Sequence, residues 1–523
     1  MELGSMGGEI DQVVDDYNFL YLSITIFFGI LVDDYNFLNL SINQVNMEAI
    51  IGRDTEKRIL SRLLASKEAE LIAIYGRRRV GKTFLIRNFY QKNIVFEFTG
   101  IHEAMLADQL KNFSLALQTA MSTPVPPATP GSWLQAFKYL EDYLKSRMAK
   151  EPVVVFFDEF PWIQTPKSGF KQAFDHWWNT WASRQPQIKV VICGSAASWM
   201  IQHVVNDKGG LHGRLSQTIT LMPFTLGETE KYLLSRGVRL NHYQLLQVYM
   251  AIGGVPQYLK QLNKGESATQ AIDRLCFDKD GMLKTEFRNL YRSLFADSSH
   301  HTEIVRVLSK KAKGLSRTEI IEACKLTTGG TTTQLFEELE ASGFITQYIP
   351  FGKTVRDGIY KLSDEYSLFY LKFVEHARAS GAGTWQKIAA GQSYNSWSGF
   401  AFETVCQKHV PQIKAALGIE AVLTEASAWR YHPKKGDTGA QVDLLLDRRD
   451  QTINLCEIKF SYEAFVIDKR YDMELERKIN VFRTQTETKK NVLLTMITTH
   501  GVKENDYSRA RVDSEVRMEQ LFK

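Results

Sequence analysis

The chain has 523 residues, 44% apolar and 24% charged, which suits a folded protein of roughly three or four domains and excludes wholesale disorder. Its 64 Lys and Arg against 59 Asp and Glu leave a net charge of +5, which permits a nucleic-acid partner without demanding one. Five cysteines with no CxxC spacing argue against a disulfide framework or zinc knuckle and read as reduced thiols of a cytoplasmic protein.

The first segment, residues 1–46, repeats itself: VDDYNFLYLSI at 14–24 returns as VDDYNFLNLSI at 32–42, an 18-residue period. Two copies are too few for a solenoid. The apolar run at 17–32 is 16 residues long, short of the roughly 20 that span a bilayer. Acidic residues precede it where a signal peptide is basic. The segment is therefore expected to be an appendage without stable membrane insertion, with the working protein starting near Met47. A peripheral membrane anchor is the alternative.

After Met47, IIGRDTEKRILSRLLAS spaces its apolar residues as a helix does, and ELIAIYG reads as a buried strand. The strand runs straight into GRRRVGKT at 76–83, and FLIRNFY resumes a helix. This is GxxxxGK[ST] in strand–loop–helix context. The glycines let backbone N–H groups close around phosphate oxygens, and the helix N-terminus adds a favourable dipole. Gly76, Val80, Gly81, Lys82, Thr83 and Phe84 are thus expected to hold ATP, with Lys82 at the β- and γ-phosphates and Thr83 on Mg²⁺. Arg77, Arg78 and Arg79 are either a basic phosphate cradle or solvated loop positions.

Helices are expected over 102–149, broken by PVPPATPG at 124–131. PVVVFFDEF is then a strand ending in two acids: Asp158 for Mg²⁺ and Glu159 to polarise the attacking water, or else a solvated turn. IKVVICGS is a further strand, with Ser195 placed to sense the γ-phosphate or to close a turn. Arg214, in LHGRL, is an arginine-finger candidate or a surface arginine. Strands alternating with helices predict a parallel α/β sheet covered on both faces.

Residues 226–295 read as helices. Helices at 301–310, 316–323 and 331–341, then two alternating runs around Gly352, have the layout of a winged helix-turn-helix. Its presumed recognition helix offers Thr331, Thr332, Thr333 and Gln334 to DNA, but Glu337, Glu338 and Glu340 follow and oppose phosphate. Lys310, Lys311, Lys313, Arg317, Lys353 and Arg356 supply positive charge nearby. DNA reading and protein interaction both remain open for this module.

Beyond about 380 the pattern returns to α/β. AQVDLLLD at 440–447 and INLCEIKF at 453–460 are strand-like runs that place Asp443, Glu457 and Lys459 as D…ExK. Period-two alternation puts Glu457 and Lys459 on one face. Two carboxylates and a lysine can bind Mg²⁺, position a water and offset charge at a phosphodiester. An exposed salt-bridge pair is the alternative.

IIGRDTE, GRRRVGKT, the DEF strand end, CGSAASWM and IGGVPQYL resemble the prokaryotic AAA-type ATPases called archaeal ATPases, over roughly residues 47–300. The resemblance implies an α/β P-loop AAA-type ATPase core at 47–225, with Gly52 and Arg53 near the adenine. It implies a helical lid at 226–295 that includes Gly254 and Pro256, and a winged helix at 296–378. A C-terminal α/β domain at 379–523, similar to restriction endonucleases of the PD-(D/E)xK type, follows the junction YKLSDEYSLFYLKFV at 360–374. By the same resemblance Glu403 is a supporting metal acid, while Gln441 stands where related nucleases often carry an acid. Two functions follow. One is an ATP-driven enzyme acting on DNA, with homo-oligomers as a further expectation and ATP state gating the nuclease. The other is a nucleotide-switched regulator or scaffold whose nuclease-like domain is inert.

Overall fold

The computed structural model describes residues 49–523 apart from 149–150, 196, 207–210, 212, 296, 378–380 and 432–438. The chain divides into two units, Met1–Ile50 and Ile51–Lys523, and the elements below belong to the second. The repeat at 14–42 and the apolar run at 17–32 lie outside the described residues. No helix among the described residues is long and apolar enough to cross a membrane.

A helix α1 (Asp54–Leu64) precedes strand β1 (Glu70–Tyr75), helix α2 (Lys82–Phe89) and strand β2 (Ile94–Thr99). Helices α3 (Leu106–Met121) and α4 (Trp133–Arg147) lead to β3 (Val153–Asp158), and α5 (Phe170–Thr180) leads to β4 (Ile188–Gly194) and β5 (Gln217–Thr220). The strands form one parallel sheet in the order β2-β3-β4-β1-β5. Every residue of β1, β3 and β4 is buried. That is why ELIAIY, VVVFFD and IKVVICG read as nearly unbroken apolar runs rather than alternating ones. An aromatic layer seals one face, with Phe137 stacked on Trp177 at 5.3 Å and Phe157 edge-on to Phe174 at 5.6 Å. Because β4 lies between β1 and β3, the segment after it emerges between the loop after β1 and the acids ending β3.

Helices α6 (Leu226–Ser235), α7 (His242–Ile252) and α8 (Glu286–Arg292) follow. A capping box between Thr225 and Glu228 starts α6. Gly254 is required here: its carbonyl accepts from the Phe224 N–H at 2.7 Å, and a Cβ would lie 1.9 Å from the Phe224 oxygen. The IGGVP segment is thus a backbone-to-backbone packing site.

Helix α9 (Ser299–Ser309), strand β6 (Leu315–Ser316), helices α10 (Arg317–Ala323) and α11 (Gly330–Ala341), and strands β7 (Ile345–Tyr348) and β8 (Ile359–Leu362) form the next segment. Its sheet is antiparallel in the order β6-β8-β7.

The last segment has helices α12 (Gln392–Lys408) and α13 (Val410–Ala416), strands β9 (Thr424–Tyr431), β10 (Ala440–Arg448) and β11 (Thr452–Lys459), helix α14 (Lys469–Thr486), and strands β12 (Asn491–Thr498) and β13 (Ser514–Arg517). The sheet runs β13-β12-β11-β10-β9, antiparallel from β9 to β11 and parallel from β11 to β13. Alternation divides its side chains. Leu444, Leu446, Cys456 and Ile458 cluster with Phe402 and Val405 of α12, while Leu445, Ile453 and Leu455 cluster with Leu475 and Phe482 of α14. One continuous hydrophobic core runs from Phe224 to Phe522, so the three segments after β5 share an interior.

Candidate nucleotide site and a second acidic cluster

The loop between β1 and α2 is shaped by three positive φ angles, at Gly76 (145°), Arg79 (71°) and Gly81 (89°). A Cβ on Gly76 would meet the Leu221 oxygen at 2.4 Å, so only glycine lets the loop pass β5. A Cβ on Gly81 would meet nothing within 4 Å, which leaves open space on the face that starts α2.

Lys82, 6% exposed, donates to the carbonyls of Gly76 and Arg77 at 3.0 Å each. Burial lowers its pKa against the opposing charges of Glu159 and Asp158. The Thr83 hydroxyl donates to Asp158 Oδ2 at 2.8 Å. Asp158 is itself buried, and burial raises its pKa despite the Thr83 bond. Glu159 has a left-handed backbone (φ 46°), and its Oε2 accepts from the Ser195 amide at 3.2 Å and hydroxyl at 2.7 Å. Lys82, Thr83, Asp158, Glu159 and Ser195 therefore lie together at the ends of three adjacent strands. Val80 is buried and Phe84 is exposed at the start of α2.

Four arginines in and beside the loop are held by neighbouring groups. Arg77 is not a phosphate cradle: it is 2% exposed, paired with Asp364 ahead of the short helix Glu365–Phe369, and its guanidinium lies 5.0 Å from the Phe344 ring centre. Arg79 pairs with Glu286 at 3.0 Å, and Arg78 lies over Trp162. These side chains are drawn off the loop by carboxylates and rings, while their backbones stay in it. Arg53 is held against the loop and the segment before α6. Its buried guanidinium donates to the Val80 carbonyl at 3.2 Å and lies over Phe224, and its amide donates to Glu228 at 2.7 Å. Gly52 (φ 64°) packs against that Glu228 side chain. Arg53 thus braces the loop from behind. Arg214 is exposed on the turn before β5, and no hydrogen bond or ion pair among the described residues joins it to Lys82 or Glu159.

The second cluster lies on the β10–β11 hairpin. Leu444 faces Cys456 across it, so Asp443 and Glu457 stand one step further along the two strands. The β9–β10 register shifts between Val442 and Leu445, a bulge that takes in Asp443 and re-aims local side chains. Asp443 accepts from the Gln441 amide at 2.5 Å, and its backbone carbonyl accepts from Gln407 of α12 at 3.0 Å. Glu403, on the same helix, has its pKa pushed up to about 8 by burial first and by the Asp443 charge second.

Glu457 departs from the expected metal shell. Its carboxylate is held by Lys478 at 2.6 Å, Tyr471 at 2.7 Å and Lys459 at 3.0 Å. Burial opposes its charge, yet the two ammonium groups hold its pKa below the usual carboxylate range. Among the described residues no three Asp, Glu, His or Cys side chains are grouped to hold a metal ion. Thr331–Gln334 are also mostly committed. Thr332 is buried, Thr333 accepts from Arg317 at 2.7 Å, and Gln334 donates to Glu338 at 2.7 Å.

Sequence reasoning missed Asp364, Lys361, Tyr471 and Lys478. Tyr471 and Lys478 are seven apart on α14 and so share a helix face, a signal present in the sequence. Asp364 gave none, because its partner Arg77 lies 287 residues away.

Residues 51–262 match the family model described as an ATPase domain predominantly from Archaea. An uncharacterized protein of Methanocaldococcus jannaschii is 23% identical over 420 residues, 78% of this chain and 87% of that protein. Among solved structures, a Walker-type ATPase of Pyrococcus abyssi aligns with 62% of this chain and 96% of its own, at 17% identity and a TM-score of 0.45. The Aeropyrum pernix ORC2 protein, in ADPNP–ADP complexes, aligns with 65% of this chain and 94% of its own, at 15% identity and a TM-score of 0.35. The family match places an ATPase-family domain at residues 51–262, the stretch that carries Gly76–Thr83, Asp158, Glu159 and Ser195.

Proposed function

We propose that the chain is an AAA-type, ATP-hydrolysing enzyme that acts on DNA, with the helical segment as a lid, residues 296–378 as a winged helix and the C-terminal segment as a nuclease-like domain. The observation that carries the ATPase half is the convergence of Lys82, Thr83, Asp158, Glu159 and Ser195. Lys82 would exchange its two carbonyl partners for phosphate oxygens. Thr83 and Asp158 present hard oxygen donors 2.8 Å apart, which suits Mg²⁺; the ion would neutralise phosphate charge there. Glu159, held by Ser195, would orient and deprotonate the attacking water.

A network supports gating between the two sites. Arg77 of the ATP loop pairs with Asp364, and the neighbouring Glu365 pairs with Lys408 of α12 at 2.6 Å. Helix α12 also carries Glu403 and holds the Asp443 backbone through Gln407. A change at the loop thus has packed, charged contacts through which to reach the acidic cluster.

The DNA half is tested by magnesium-dependent nicking of plasmid DNA. Wild type should nick, ATP should alter the rate, and Lys459→Ala should abolish it; no nicking under any nucleotide condition would refute the nuclease role. One observation favours the second reading, a nucleotide-switched scaffold with an inert nuclease-like domain. Glu457 is bound by two lysines and a tyrosine rather than left open to a metal.

A further inference from the structure

We propose that the basic cleft between the β7–β8 hairpin and strands β9–β10 seats the phosphate backbone of a single DNA strand and leads it to Asp443; this rests on the DNA-acting reading above. The cleft has a volume of about 780 Å³ and is lined by Lys310, Lys311, Lys313, Lys353, Lys361 and Arg430, with Asp443 in the same wall as Gln441. A space of that size is in the range of small-ligand sites, about 300–1,000 Å³. It takes a few nucleotides of one strand, not a duplex.

The charge in the cleft is available. Lys310, Lys311, Lys313, Lys353 and Arg430 are exposed. Among the described residues none of the six cations is in an ion pair. Three carboxylates line the cleft against these six cations: Asp443, to which the strand is led, and Glu319 and Asp357, whose charges lie near Lys311, Arg430 and Lys353 and whose oxygens also hold backbone. Glu319 accepts from the Ser316 amide at 2.7 Å, and Asp357 accepts from the Thr354 amide at 3.0 Å.

The cleft also reaches the acidic cluster. Lys361 is buried on β8, and Glu403 feels both its charge and that of Asp443. The α11 face, by contrast, has Thr332, Thr333 and Gln334 turned inward or bonded to neighbours. Cations spaced along a groove displace counterions from phosphates, and each contact on a single strand adds about 0.7 to the salt slope of binding.

The test is fluorescence anisotropy of a labelled single-stranded oligonucleotide with the full chain, titrated at several salt concentrations. Lys310→Ala/Lys311→Ala/Lys313→Ala should reduce the salt slope by about 2. Wild type would then lose about 20-fold more affinity than this variant between 50 and 200 mM salt. Lys353→Ala/Arg430→Ala, from elsewhere around the cleft, should reduce the slope by about 1.4. ATP turnover without DNA should be unchanged in both, and Thr331→Ala/Thr333→Ala should bind as wild type. An unchanged slope in the two cleft variants, or a loss confined to the threonine variant, overturns the proposal. Asp443→Ala separates it from the nuclease reading: binding should persist with the wild-type slope while nicking stops. Cleft-dependent binding by a wild type that does not nick would refute the nuclease alone.

Discussion

Asp364→Asn removes one charge from the Arg77–Asp364 pair while keeping an acceptor for Ser367, whose amide and hydroxyl donate to Asp364 Oδ2 at 2.9 and 2.6 Å. The helix cap therefore survives, and the perturbation isolates the ion pair. Arg77 is 2% exposed, and its Nε and second terminal nitrogen have no hydrogen-bond partner among the described residues. Losing Asp364 leaves a buried guanidinium with little beyond the Phe344 ring. Breaking a buried pair from one side costs about 3–5 kcal/mol, and this geometry points to the upper end. The opposite change, Arg77→Met, should cost less, because Asp364 keeps its Ser367 bonds and the field of Lys408. The double variant Arg77→Met/Asp364→Asn should be more stable than the sum of its parts by about 2–3 kcal/mol. Urea unfolding of the full chain, followed by tryptophan fluorescence, supplies the cycle. Single changes below about 1 kcal/mol that simply add would refute the pair as a structural link. If the link also carries gating, Arg77→Met should still bind ATP, while nicking should no longer respond to nucleotide.

Other consequences are open to direct measurement. Glu403 is held protonated at neutral pH, with its pKa raised from 4.5 to about 8. Between those values the folded state keeps a proton that the unfolded chain releases, so stability should fall as pH rises across that window. Glu403→Gln should flatten the profile in pH-dependent urea melts. His409 behaves in the opposite way. Its Nε2 accepts from the Leu226 amide at 3.0 Å, and burial pushes its pKa down from 6.5 to about 4. Stability it confers is complete above pH 6.5 and should be lost as pH falls towards 4. His409→Gln should lessen that loss in thermal melts across the acid range. Ser195→Ala removes the hydroxyl that orients Glu159 and should lower ATP turnover by about tenfold to a hundredfold with little change in nucleotide affinity. Equal turnover would limit Ser195 to a turn.

What the sequence disclosed depended on range. Gly76–Thr83 and the DE after VVVFF are local patterns, and the chain places them side by side because β1 and β3 flank β4. Glu457 and Lys459 share a strand face by alternation alone, but nothing local foretold that Lys478 would claim the same carboxylate. For the loop arginines the sequence left two readings open, phosphate cradle or solvated positions, and showed neither distant partner. Charge beside a phosphate loop suggests phosphate, whereas Asp364 and Glu286, both distant in sequence, capture Arg77 and Arg79. The boundaries expected at 296 and 379 rest on the helix and strand pattern and on the family resemblance, while the shared core from Phe224 to Phe522 arises from long-range packing that no window of sequence displays.

The most direct test of the ATPase site pairs nucleotide binding with turnover in Glu159→Gln. Fluorescent ATP should bind this variant as tightly as wild type, and hydrolysis should fall by about a hundredfold or more, since the role proposed for Glu159 is to activate the water and not to hold the nucleotide. Wild-type turnover in Glu159→Gln, or no ATP binding by the unaltered chain, would contradict the assignment of this site.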